Sequence, residues 1–107
     1  MNLNATVECA DGFRMSVQAS KHHYCSPRTD DAVYHCVEVG FPSEHECELM
    51  PFAEEPDTPT DTVYSYVPAT VIHSVIEKHG GMVKGELPPM KLVPVLVGVW
   101  SKGEEEE

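Results

Sequence analysis

Leu3 to Ala19, LNATVECADGFRMSVQA, is the stretch from which the fold can be read. Asp11-Gly12 separates two runs of β-type residues, a strong short-range hairpin signal. In the second run Phe13, Met15, Val17 and Ala19 alternate with Arg14, Ser16 and Gln18, the period of a strand buried on one face. Arg14 is then expected on the face away from Met15 and Val17.

Working outward, Ser20 to Asp31 reads as a loop in which Pro27 stiffens the backbone before Arg28. Ala32 to Val39 reads as a third strand, with Val33, His35, Val37 and Val39 on one face and Tyr34, Cys36 and Glu38 on the other. Gly40-Phe41-Pro42 ends it. Ser43 to Asp61 is acidic and interrupted by prolines, and is expected to be irregular, held to the core by Leu49, Met50 and Phe52. Thr62 to Val67 reads as a short strand, and Pro68 suits the first position of a helix. The helix, Ala69 to His79, sets Val71, Ile72, Val75 and Ile76 on one side, and Gly80-Gly81 closes it. Gly81 to Pro89 reads as a connector.

Leu92 to Trp100, LVPVLVGVW, reads as a strand interrupted at Pro94. It is apolar on both faces, and a partner subunit is a source of cover for it. The expectation is a single α+β domain over 1–103: a small antiparallel sheet of four to five strands with one main helix. Residues 104–107 form an acidic tail.

Composition narrows the function. The chain has 107 residues, 41% hydrophobic and 23% charged, with a formal charge of -11; this suits one globular domain with a modest core. The acidity is local, falling on residues 37–61, which contain no Lys or Arg, and on Glu104 to Glu107. Long nucleic acid is not an expected partner, because binding it rests on many cationic phosphate contacts. No apolar run reaches the roughly 20 residues that cross a bilayer, and the N-terminus lacks a secretion signal. A cytoplasmic protein is expected, with no membrane partner. Cys9, Cys25, Cys36 and Cys47 include no CxxC pair and are expected as free thiols.

Three His/Cys clusters occur, at His22-His23-Tyr24-Cys25, His35-Cys36 and His45-Glu46-Cys47. None has the paired spacing by which one turn supplies two zinc ligands, and His35 and Cys36 fall on opposite faces of one strand. Nor does any sequence context fix Cys25 against His22 or His23 as a nucleophile. No phosphate-loop or nucleophile-elbow motif is present. Neither a metal, a cofactor nor catalysis is expected.

Binding is better motivated. His22, His23, Tyr24 and Arg28 share one loop that offers donors, a stacking face and a permanent cation. A guanidinium is a planar fork suited to phosphate. Tyr64 and Tyr66 come just before the helix, whose first N–H groups at Ala69, Thr70 and Val71 favour an anion. Aromatic faces beside cationic donors match the base and phosphate of a nucleotide. The plain alternative pairs Arg28 with Asp30 or Asp31 and leaves the tyrosines in the core.

FRMSVQAS-x-HHYCSPR, VYHCVEVGFPS and TVYSYVP with the helix ending VIEKHGG, over residues 13–81, resemble the small phage proteins of the Thoeris anti-defence one family. That resemblance implies a homo-oligomer, from dimer to hexamer, acting as a sponge. Such a sponge holds a cyclic ADP-ribose isomer, and in some members cyclic oligonucleotides, without cleaving it. The implied pocket draws on the Tyr24-to-Arg28 loop, Tyr64, Tyr66 and the helix start, with Arg14 as the second arginine. Where the family's pockets hold several arginines this chain has only Arg14 and Arg28, which an oligomer could concentrate by symmetry. A rival expectation is an acidic protein–protein inhibitor, in which residues 43–61 and the tail mimic nucleic acid against a host nuclease or CRISPR complex.

Overall fold

The computed structural model describes residues 3–91. Five strands form one antiparallel sheet: β1 (Val7–Cys9), β2 (Arg14–Gln18), β3 (Cys36–Gly40), β4 (Val63–Pro68) and β5 (Met82–Lys84), in the spatial order β4-β3-β2-β1-β5. A single helix, α1 (Ala69–Lys78), carries the chain from the β4 edge to the opposite edge at β5. The fold is therefore the small α+β architecture expected.

The hairpin forms where Asp11-Gly12 places it. Val7 pairs with Met15 and Glu8 with Arg14. Cys9 N–H donates to Phe13 O, Gly12 N–H to Cys9 O, and Phe13 N–H to Asp11 Oδ1. Gly12 takes φ +96°, which only glycine adopts without strain. Along β2 the alternation holds from Arg14 to Val17, with Arg14 exposed and Met15 and Val17 fully buried, but Gln18 on the polar face is buried too, its side chain bonded to the Asn4 backbone. The face of Met15 and Val17 collects Val7, Cys9, Val37 and Val39. On it lie Ile72 and Val75 of α1, three residues apart and so one above the other on the helix.

Pro68 ends β4 and caps α1 instead of occupying its first turn, and its successor Ala69 donates its N–H to His35 O at 2.8 Å. That backbone donor is thereby taken, contrary to its expected role in receiving an anion. At the other end Gly80 turns at φ +92°, closing the helix as expected. The helix end then docks on the hairpin turn, where His79 O accepts from Asp11 N–H and Gly81 O from Ala10 N–H.

Two local expectations are corrected. The third strand begins at Cys36, not Ala32, because the chain slips phase just before it. Tyr34 is buried and Val33 and His35 are exposed, the reverse of the expected faces. The cause is residues 89–91, whose backbone straddles Tyr34: Tyr34 N–H donates to Pro89 O and Lys91 N–H to Tyr34 O. The Tyr34 hydroxyl also donates to Thr29 O at 2.6 Å. Second, the expected connector 81–89 contains strand β5, which pairs with β1 through Glu8–Lys84 and Cys9–Met82.

The acidic segment is held as expected, through fully buried Leu49 and the partly buried Met50 and Phe52, the last two in a 3-10 turn at Met50–Phe52. The strand expected at Leu92–Trp100 and the tail at 104–107 lie outside the described residues. Among the described residues no helix is long and apolar enough to cross a membrane.

Candidate functional site

The loop after β2 is knitted to the sheet by backbone bonds. Ser26 N–H donates to Cys36 O, His35 N–H to Ser26 O, and Tyr66 N–H to Tyr24 O at 3.0 Å. Tyr24 N–H donates to Glu38 Oε1 at 2.9 Å. The peptide groups of Tyr24 are thus gripped on both sides, by a β3 carboxylate and by the backbone of β4.

Tyr66 owes its position to a bulge. The two-residue step from Val37 to Val39 on β3 is met by a three-residue step from Val67 to Tyr64 on β4. The additional residue falls at Ser65 and Tyr66, opposite Glu38, and Tyr66 takes φ +53°. A bulky side chain in that left-handed region costs about 1–2 kcal/mol. The conformation turns the ring out of the sheet, where it is 47% exposed. Bulges commonly re-aim a side chain in this way.

Three of the expected site residues come together as a result. The rings of Tyr24 and Tyr66 lie 6.1 Å apart between centroids, tilted by 44°. The Arg28 guanidinium carbon sits 5.1 Å from the centre of the Tyr24 ring. Arg28 forms no ion pair among the described residues, and Asp30 is engaged by Lys21 through its ammonium and backbone N–H. A stacked guanidinium with uncommitted N–H donors can turn them to an anion while the tyrosine faces receive a planar group.

The other expected residues lie elsewhere. Tyr64 is fully buried, its ring in the core and its hydroxyl bonded to Pro59 O. It is a packing residue. Two positions apart on a regular strand, Tyr64 and Tyr66 would share a face; the bulge separates them. Arg14 opens β2, at the end remote from the loop that leaves after Gln18, and lies across from Glu8. His22 and His23 are bound into the turn at Ser20, His22 through its backbone N–H and His23 through Nδ1, 2.7 Å from Ser20 Oγ.

Cys25, behind the loop, is buried and donates through Sγ to Ser20 O. Burial pushes its thiol upward, so it is held protonated and is a poor nucleophile. Among the described residues no group of three or more His, Cys, Asp or Glu is placed to hold a metal ion.

Sequence reasoning missed two features. Glu38 was assigned only a strand face, because a lone acidic residue on a polar face gives no signal of its own. The second feature is a cluster around His79. Its Nδ1 lies 2.6 Å from Asp11 Oδ2, its Nε2 lies 2.7 Å from Glu46 Oε1, and its ring stacks on Phe13 at 4.2 Å. Lys78 Nζ bridges Glu46 at 2.8 Å and Glu48 at 3.2 Å. Glu54 accepts from the Ser65 hydroxyl. Three carboxylates of the acidic segment therefore serve the fold, while Glu44, Glu55, Asp57 and Asp61 are exposed.

A groove of about 320 Å³ lies apart from the tyrosines, between α1 and the chain after it. It is lined by Ile72, His73, Ile76, Met82, Leu87, Pro88 and Met90. Among its described lining residues it offers an apolar wall and no permanent cation, so an anionic ligand is better matched to the open Tyr24–Arg28–Tyr66 cluster. Comparison with protein-family models, curated proteins and solved structures finds no match for this chain.

Proposed function

We propose that this protein is a non-catalytic binder of a small cyclic nucleotide, a sponge for a signal such as a cyclic ADP-ribose isomer. The supporting observation is the Arg28 guanidinium resting on Tyr24 beside Tyr66, with no carboxylate paired to it among the described residues. The rings stack the base and Arg28 takes a phosphate, while the Cys25 thiol behind the loop is held protonated. Tyr66 keeps a half-exposed ring in a left-handed bulge at a conformational cost, which fits a ring retained for contact with a ligand. The cluster is open to solvent, and in this reading a second copy in a homo-oligomer closes its outer side.

A thermal-shift screen of cyclic ADP-ribose isomers and cyclic dinucleotides tests the proposal. A ligand that binds the folded form raises the melting temperature. The expected result is a shift with at least one of them, abolished by Arg28→Ala without lowering the ligand-free melting temperature. Ligand recovered after heat denaturation should be chemically intact. Absence of any shift, or recovery of a cleaved product, overturns the proposal.

A further inference from the structure

We infer that Glu38 determines which nucleotides the site accepts, by reading the ribose hydroxyls of a ligand whose phosphate lies on Arg28; the inference rests on the binding function proposed above. Glu38 is half-buried on β3, directly opposite the bulge that presents Tyr66. One carboxylate oxygen accepts the Tyr24 N–H at 2.9 Å. Its other oxygen has no further hydrogen bond among the described residues. Glu38 and Arg28 meet the same residue, the carboxylate at the Tyr24 N–H and the guanidinium 5.1 Å from the centre of the Tyr24 ring.

The chemistry follows from what each group can accept. A nucleotide presents a base, a ribose and a phosphate in that order. The base goes to the tyrosine faces and the phosphate to the guanidinium, so the ribose falls between them, beside Glu38. An ionised carboxylate only accepts hydrogen bonds, and a vicinal diol supplies two donors. The same negative charge repels phosphate, so Glu38 also fixes the direction in which the ligand lies. A hydrogen bond to a charged acceptor is worth enough to discriminate about tenfold.

The test is calorimetric titration of the full-length protein with ADP and with 2′,3′-dideoxy-ADP. The wild type should bind ADP about tenfold more tightly than the dideoxy compound. Glu38→Gln keeps an acceptor for the Tyr24 N–H but loses the charge, and should bind the two compounds equally, with the Tyr24 ring resonances unmoved. Glu38→Ala should lose the preference and shift those resonances as well. If the wild type binds both compounds equally, or Glu38→Gln keeps the preference, the inference fails and the site stands. If the wild type binds neither, the ribose inference fails; the binding proposal falls with it only if the cyclic ligands also produce no thermal shift.

Discussion

His79 Nε2 lies 2.7 Å from Oε1 of Glu46, a carboxylate only 3% exposed, while the opposite ring nitrogen holds Asp11. A neutral imidazole carries one proton and can donate to one of them; donation to both carboxylates requires the imidazolium. That ion joins the hairpin turn, the helix end and the acidic segment, three parts of the chain far apart in sequence.

The pH dependence of stability follows from this arrangement. Burial acts to lower the His79 pKa, but hydrogen bonds to Glu46 and Asp11 outweigh it and the pKa is raised. Its contribution is present in full below the ordinary histidine pKa of about 6.5 and is lost as pH rises through the elevated folded value. Burial pushes Glu46 up, yet Lys78, the Glu48 N–H and His79 together hold it below its usual range. The Phe13 N–H and then His79 do the same for Asp11. Their contribution is present above the ordinary carboxylate range and is lost as pH falls through the depressed values. Stability measured by urea denaturation should therefore peak between the carboxylate and histidine ranges, at about pH 5–6.5, and decline on either side. In His79→Phe the decline on the alkaline side should disappear.

Glu46→Ala removes the acceptor shared by His79 and Lys78 and leaves each with one carboxylate, Asp11 for His79 and Glu48 for Lys78. It should cost about 2–3 kcal/mol, read as a lower denaturation midpoint at an unchanged denaturant slope. A loss below about 0.5 kcal/mol would mean that the acidic segment is held by Leu49 and the 3-10 turn alone.

Much of this fold was legible because its signals are local. Asp-Gly between alternating runs gives the hairpin, and apolar residues three and four apart before Gly80-Gly81 give the helix. What escaped depends on distant partners. Strand β5 exists because β1 lies beside it, more than 70 residues earlier in the chain, and its three residues stand between Gly80-Gly81 and Gly85, in text that reads as a loop. The phase slip at Tyr34 is imposed by Pro89 and Lys91. The site was half legible: Tyr24, Arg28 and Tyr66 are conspicuous by type. The bulge that parts Tyr66 from Tyr64 has no signature in VYSYV, so the buried tyrosine was grouped with the exposed one.

The two tyrosines should accordingly behave as opposites. Tyr64→Phe loses the hydrogen bond to Pro59 O and leaves that acceptor in a partly buried setting, costing about 1 kcal/mol, with ligand affinity unchanged. Tyr66→Gly removes the left-handed strain and should raise stability by about 1 kcal/mol, while abolishing the ligand-induced thermal shift. A Tyr66→Gly protein less stable than wild type would mean that the ring is held by packing and not presented for binding.

Glycine positions separate backbone strain from steric clash. Gly12 and Gly85 both have positive φ, +96° and +105°. A Cβ at Gly12 meets nothing within 4 Å, whereas one at Gly85 would lie 2.3 Å from Thr6 O and 2.6 Å from Val7 Cα. Gly12→Ala should cost only the conformational term, about 1–2 kcal/mol. Gly85→Ala must also push the chain after β5 away from β1, so its cost should exceed that of Gly12→Ala by about 2 kcal/mol or more. Hydrogen exchange locates the difference. In Gly85→Ala the Glu86 N–H, which donates to Ala5 O, should lose protection together with the β1–β5 ladder, while the β3–β4 amides keep theirs. Equal costs at the two glycines would mean that β5 moves freely against β1 and does not fix that edge of the sheet.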